Sequence, residues 1–182
     1  VSVEPLSNVW CVISPPDYEG TGTLQTVQLL WSEAQTRFEA VYAGFSQPGV
    51  YCCTFFAMDS KGEISSPVQS EILRADAYEP DDDEASSTAF DHSAAQRHNF
   101  HQPYDADWVH FYALTGQVYE IRTVQLGSNV DTVIELYRQN PDRSLTLIVQ
   151  RDSQGKGRGD GEYVLLSHPE TNAFYYVRVR PY

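Results

Sequence analysis

Hydrophobic and polar positions alternate along most of this chain, in short runs broken by glycine, proline and acidic residues. Val9-Trp10-Cys11-Val12-Ile13 is an apolar run stopped by Ser14-Pro15-Pro16-Asp17, and Val27-Gln28-Leu29-Leu30-Trp31 follows the turn Gly20-Thr21-Gly22. Arg37 to Tyr42 alternates with a period of two, which predicts a half-buried strand. A stronger strand opens at Gly49-Val50-Tyr51 and runs to Met58. Asp59-Ser60-Lys61-Gly62 then supplies a hairpin turn with glycine where a positive φ is needed. Ser66 to Leu73 is the last expected strand of this half.

Residues beyond the middle have the same texture. Alternation predicts strands over 107–113, 117–124, 131–137, 145–150, 163–166 and 174–180, with a polar, glycine-rich loop from Asp152 to Gly161. The one helical signal is Asp83 to Ala89, where an acidic start precedes Ala85 and Ala89, and it predicts a single short turn. Regularly spaced strands with turn signals between them predict an all-β protein, two antiparallel β-sandwiches in tandem over residues 1–75 and 76–182.

Between the two halves lies Asp76-Ala77-Tyr78-Glu79-Pro80-Asp81-Asp82-Asp83-Glu84, six carboxylates in nine residues, broken by proline. A second acidic turn follows at Tyr104-Asp105-Ala106-Asp107-Trp108. Clustered carboxylates on irregular backbone repel one another unless a cation neutralises them, and the hard cation that takes such oxygen ligands is Ca²⁺. The competing reading is a solvated acidic linker.

The net charge is −13, shared by both halves: residues 1–74 carry 8 acids against 3 bases, residues 75–182 carry 17 against 9. A surface this acidic repels phosphate backbones and disfavours a general nucleic-acid role. No apolar stretch approaches the roughly 18–20 residues that span a bilayer. The chain starts at Val1 and reads as a piece of a longer precursor, so a missing signal peptide says nothing against secretion. Cys11, Cys52 and Cys53 fit no zinc or redox spacing. Alternation turns Cys53 inward and Cys52 outward. A bridge from Cys11 to either neighbour and three reduced, buried thiols are both open.

Two resemblances add to this reading. Gly49-Val50-Tyr51, Phe55-Phe56-Ala57-Met58-Asp59 and Gly62-Glu63-Ile64-Ser65 resemble bacterial immunoglobulin-like modules, with Glu63 where those carry asparagine. Residues 76–182 resemble the bacterial pre-peptidase C-terminal domain. The landmarks are Asp76 to Asp82, Asp105-Ala106-Asp107-Trp108-Val109-His110-Phe111, Gly116-Gln117-Val118-Tyr119, Asp131 to Tyr137, and Phe174 to Val179. That resemblance implies a small jelly-roll-like sandwich without catalytic residues, appended to a secreted bacterial hydrolase, often a peptidase. It implies a partner, the catalytic domain of the parent protein, and a secreted, cell-surface or periplasmic location. It also nominates Glu79, Asp81 and Asp107 as ligands of a structural calcium, with Asp82 and Asp105 next. Asp81 stands where the family usually has asparagine, and Ala77 where collagen-binding relatives can hold a carboxylate.

Other constellations carry less. His98-Asn99-Phe100-His101 lies in a region expected to be extended, where a three-residue offset sends the rings to opposite faces and argues against zinc. His110, between Val109 and Phe111, is expected to face solvent. No nucleophile elbow is present, so no catalytic residue is assigned. Arg158-Gly159-Asp160 in a glycine-rich loop reads as chance composition rather than an adhesion signal. The last strand is different. With Tyr175, Val177 and Val179 inward, Phe174, Tyr176, Arg178 and Arg180 line its outer face, an aromatic and arginine stripe of the kind enriched at binding surfaces. That stripe makes an adhesin-like module for an extracellular protein or polysaccharide the alternative function. Cover by neighbouring segments is its competitor.

Overall fold

The computed structural model describes residues 5–16, 18–127, 130–153 and 161–182. These divide into two compact units, Val1–Asp76 and Ala77–Tyr182. All regular structure among them is β, and both units are built from sheets that pair mainly antiparallel.

In the first unit the strands are β1 (Leu6–Ser14), β2 (Gln25–Gln28), β3 (Leu30–Ser32), β4 (Arg37–Glu39), β5 (Gly49–Asp59) and β6 (Val68–Arg74). One sheet has the order β2-β1-β5-β6, and β3-β4 is a separate hairpin. Alternation along β1 and β5 buries Cys11, Ile13, Tyr51 and Cys53 on one face. On the other face the cross-strand pair Trp10 and Phe56 stacks at 5.5 Å.

The expected strands over 27–31 and 37–42 are cut short. Leu29 interrupts the first and packs on the core, so β2 and β3 separate there. The second stops at Glu39 because Tyr42 leaves the alternation to pack inward with Phe45, edge to face at 4.8 Å. Phe45 in turn meets Tyr51 at 5.0 Å, and Tyr51 fixes the segment by accepting a hydrogen bond from the Gln47 amide at 2.8 Å. The turn after β5 forms as expected, with Gly62 at φ 87° and Asp59 Oδ1 accepting from the amides of Lys61 and Glu63, each at 2.9 Å. The three cysteines are free thiols, Cys11 and Cys53 buried. They sit on neighbouring strands but are not opposite one another: Cys11 pairs with Phe55 and Cys53 with Ile13.

The second unit comprises β7 (Thr88–Ala89), β8 (Asp107–Ala113), β9 (Val118–Arg122), β10 (Thr132–Gln139), β11 (Leu145–Arg151), β12 (Tyr163–Ser167) and β13 (Ala173–Pro181). A five-stranded sheet in the order β11-β10-β13-β8-β7 faces the β12-β9 pair. Every pairing is antiparallel except β7 with β8. Val109, Ala113, Ile134, Leu136, Tyr175 and Val177 from the large sheet meet Ile121, Val164 and Leu166 from the small one. β10 reads TVIELYRQ, and its first five residues are buried on both faces, including the charged Glu135.

The helical turn expected over Asp83–Ala89 is absent. Asp83 instead closes a turn, its Oδ1 accepting from the Ser86 amide at 2.8 Å and from Ser86 Oγ at 2.7 Å, and the chain goes straight into β7. Pairing of Thr88 with Val109 extends a sheet already formed, which decides the competition between one isolated helical turn and a strand. Arg158-Gly159-Asp160 lies outside the described residues.

Candidate metal centre and outer face of the second unit

Backbone geometry gathers the acidic residues of the second unit. The segment before β7 is fastened to the start of β8 where the Asp81 carbonyl accepts from the Trp108 amide at 2.9 Å. That bond sets Asp81 beside Asp107. The turn before β8 is tight, with Tyr104 in the left-handed region at φ 69° and the Asp105 amide donating to the Gln102 carbonyl at 3.2 Å. Asp105 is thereby brought under Glu79. Asp81, Asp105 and Asp107 are 0%, 1% and 3% exposed, which aspartates rarely are unless paired or metal-bound.

One oxygen each from Glu79, Asp81 and Asp107 lie within 4.8 Å of one another. A second set, Glu79, His101 and Asp105, meets the same limit. His101 Nδ1 is 2.8 Å from both Glu79 Oε1 and Asp105 Oδ2, and its amide donates to Asp105 Oδ2. His98 Nδ1 is 3.5 Å from Asp81 Oδ2 and 3.8 Å from Asp107 Oδ1, with its ring stacked on Tyr78 at 4.5 Å. Asp105 Oδ1 accepts no hydrogen bond from the described residues although it is sealed from solvent. Burial pushes the Glu79 carboxyl up. The Asp81 amide and His101 pull it down, and the charges of Asp105 and Asp82 push it up again.

Of the five residues nominated as ligands, Glu79, Asp81 and Asp107 converge, and Asp105 meets Glu79 in the second set. Asp82 is exposed and accepts from Gln102 Nε2 at 3.3 Å. The two histidines correct the sequence reading. Residues 97–104 form no strand, so the opposite-face argument does not apply, and both rings turn toward carboxylates. The sequence signal for them was the acidic turn closely following His98 and His101. His110 is also corrected: it is half-buried, its Nδ1 2.9 Å from Ser87 Oγ and its ring 5.6 Å from Tyr176.

The outer face of β13 divides. Arg180 Nε and Arg178 Nη1 donate to Glu135 Oε1 and Oε2 at 3.0 and 3.3 Å, and Tyr137 donates to Oε2 at 2.7 Å. Arg178 also lies 5.9 Å from the centre of the Trp108 ring, which stacks on Tyr137 at 5.3 Å. Tyr176 is half-buried, its hydroxyl accepting from Gln139 Nε2 at 3.3 Å. Phe174 is the open member of the stripe. At 42% exposed it meets Tyr112, 51% exposed, edge to face at 5.0 Å. The two arginines therefore neutralise a buried glutamate, and the free aromatic surface lies at the far end of the strand.

No family model and no curated protein matches the chain. A solved structure described as "Structural basis for the promiscuous specificity of the carbohydrate-binding modules from the beta-sandwich super family" is similar over 98% of this chain and 80% of its own. The identity is 12% and the TM-score 0.31, and a likeness of that degree bears on no residue of either site. No helix of the described residues is long and apolar enough to cross a membrane.

Proposed function

We propose that the chain is a non-catalytic accessory region of a secreted bacterial hydrolase, a peptidase by the resemblance of residues 76–182, and that its second unit is stabilised by calcium. The observation that carries the metal reading is the convergence of Glu79 with the buried Asp81 and Asp107, and of the same Glu79 with Asp105, whose Oδ1 is sealed from solvent and accepts no hydrogen bond from the described residues. Three carboxylates drawn this close together at low exposure repel one another, and a divalent cation removes that cost. The donors fit in kind: carboxylate oxygens held on irregular backbone, for an ion that takes oxygen ligands. Glu79, Asp81 and Asp107 would hold the ion, with Asp105 beside them. Bound there, it supplies charge neutralisation and ties the segment before β7 to the start of β8.

His101 favours a second reading. With Glu79 and Asp105 it offers one nitrogen and two oxygens, the mixed donors that zinc-class ions accept and calcium does not seek. Thermal unfolding separates the two. Calcium at a hundredfold excess over its Kd should add about 2.7 kcal/mol of stability, reversed by chelator and absent in Asp81→Ala/Asp107→Ala. Zinc stabilisation lost in His101→Ala, without a calcium effect, selects the mixed site. Identical curves with either ion and with chelator refute the metal reading and leave a solvated acidic turn.

A further inference from the structure

The hydrogen-bonded ladder between β10 and β13 ends at the pair Arg138 and Tyr175. At that end the turn after β10 and the segment entering β13 line a shallow, open cleft of about 610 Å³. Tyr112 and Phe174 form its aromatic wall; Arg138, Asn140 and Arg143 come from the hairpin side, and Asn172 from the other. That volume lies within the roughly 300–1,000 Å³ of small-ligand sites.

The polar lining combines two arginines with two anchored amides. In a protein of charge −13, Arg138 and Arg143 form no ion pair with any described residue, unlike Arg178 and Arg180, which are held by Glu135. Two acids lie close by without lining the cleft: Asp142, whose Oδ1 accepts from the Ser144 amide and hydroxyl at 3.0 and 2.6 Å, and Glu170, whose charge, like that of Arg138, acts on the Tyr175 hydroxyl. Arg143 occupies the left-handed region at φ 69°, where glycine or asparagine would sit without strain. The two amides are fixed from behind. Asn172 Oδ1 accepts from Thr115 N and Oγ1 at 2.7 and 2.9 Å, leaving its Nδ2 without a described partner. Asn140 Nδ2 donates to Ser144 Oγ and Thr146 Oγ1 at 2.9 and 2.8 Å.

We propose that this cleft binds an acidic sugar, a uronate unit of an anionic polysaccharide. The apolar face of a pyranose ring packs on Phe174 and Tyr112. Its carboxylate takes charge-assisted hydrogen bonds from Arg143 and Arg138, and its hydroxyls meet the fixed amides. An acidic peptide would use the arginines but has no row of hydroxyls for the amides to read. The site is separate from the acidic cluster and stands whether or not that cluster holds an ion.

Affinity electrophoresis of the 182-residue chain tests this, in gels containing polygalacturonate, alginate or hyaluronate without added calcium, with hyaluronate repeated in calcium. Dextran and poly-glutamate gels are the comparisons. Retardation is expected in at least one uronate gel and in neither comparison. Phe174→Ala and Arg143→Gly should each weaken it about tenfold, the size of one lost stacking or charge-assisted contact. Glycine relaxes the φ at position 143, so that variant should unfold no earlier than the parent, which separates lost binding from lost structure. No retardation by any uronate polymer overturns the proposal. Equal retardation by poly-glutamate, or retardation that both variants retain, overturns it as well, the former in favour of an acidic peptide.

Discussion

Replacing Glu135 with glutamine should be among the more damaging single changes in the second unit. The carboxylate is 6% exposed and takes three hydrogen bonds, from Tyr137 at 2.7 Å, Arg180 at 3.0 Å and Arg178 at 3.3 Å. Removing one partner of a buried pair costs about 3–5 kcal/mol because the other charges stay behind uncompensated. The arginine side chains are 33% and 28% exposed, so water recovers part of that, and about 2–3 kcal/mol is the working figure. Burial pushes this carboxyl up, but the hydrogen bonds from Tyr137 and Arg180 and the charges of Arg178 and Arg180 outweigh it, leaving the pKa below its usual 4.5. A depressed folded pKa contributes stability in full above the unfolded value and loses it as pH falls through the folded one. The gap between parent and variant should hold steady from about pH 6 to 8 and close below about pH 4. Urea unfolding followed by tryptophan fluorescence measures it, because Trp108 stacks on Tyr137 and sits beneath Arg178. With a slope of roughly 1–3 kcal/mol per molar, the midpoint should drop by about 1 M. A gap under about 0.5 kcal/mol, the scatter of ordinary surface changes, would refute the reasoning. So would a gap that widens in acid.

Two further outcomes follow from the first unit. Gly49 has φ 118° and an added Cβ would lie 2.8 Å from Pro16 Cβ, so Gly49→Ala should cost at least about 1–3 kcal/mol in chemical unfolding. Unchanged stability would mean that the backbone there relaxes freely. Burial, with the neighbouring Cys53 thiol next, pushes the Cys11 thiol up to about 11, and burial raises Cys53 as well. A thiol reagent at pH 8 should therefore titrate Cys52 alone of the three until denaturant is added, and rapid labelling of two or three would show the buried pair to be open.

Much of the architecture was legible in the chain because it depends on short-range period. Cys11, Ile13, Tyr51 and Cys53, or Tyr175 and Val177, alternate with outward residues, and a period of two specifies which face is buried whatever the partner strand. The acid-rich stretch and the turn at Tyr104–Trp108 were visible as composition, and the fold draws Glu79 to Asp81 and Asp107 on one side and to Asp105 on the other. What composition could not assign was partnership. Tyr42 leaves its strand pattern because Phe45 and Tyr51 offer a better contact than the next rung of a ladder. Asp83–Ala89 forms no helix because β8 already presents an edge. His98 and His101 were assigned opposite faces by a strand that does not exist, and only the fold turns both rings toward the acids. Arg178 and Arg180 read as a binding stripe until Glu135, more than forty residues earlier, is seen to hold them. Periodicity is a property of neighbours along the chain and survives in the sequence. Charge neutralisation and desolvation depend on groups brought together across the sheet, and only the tertiary structure decides them.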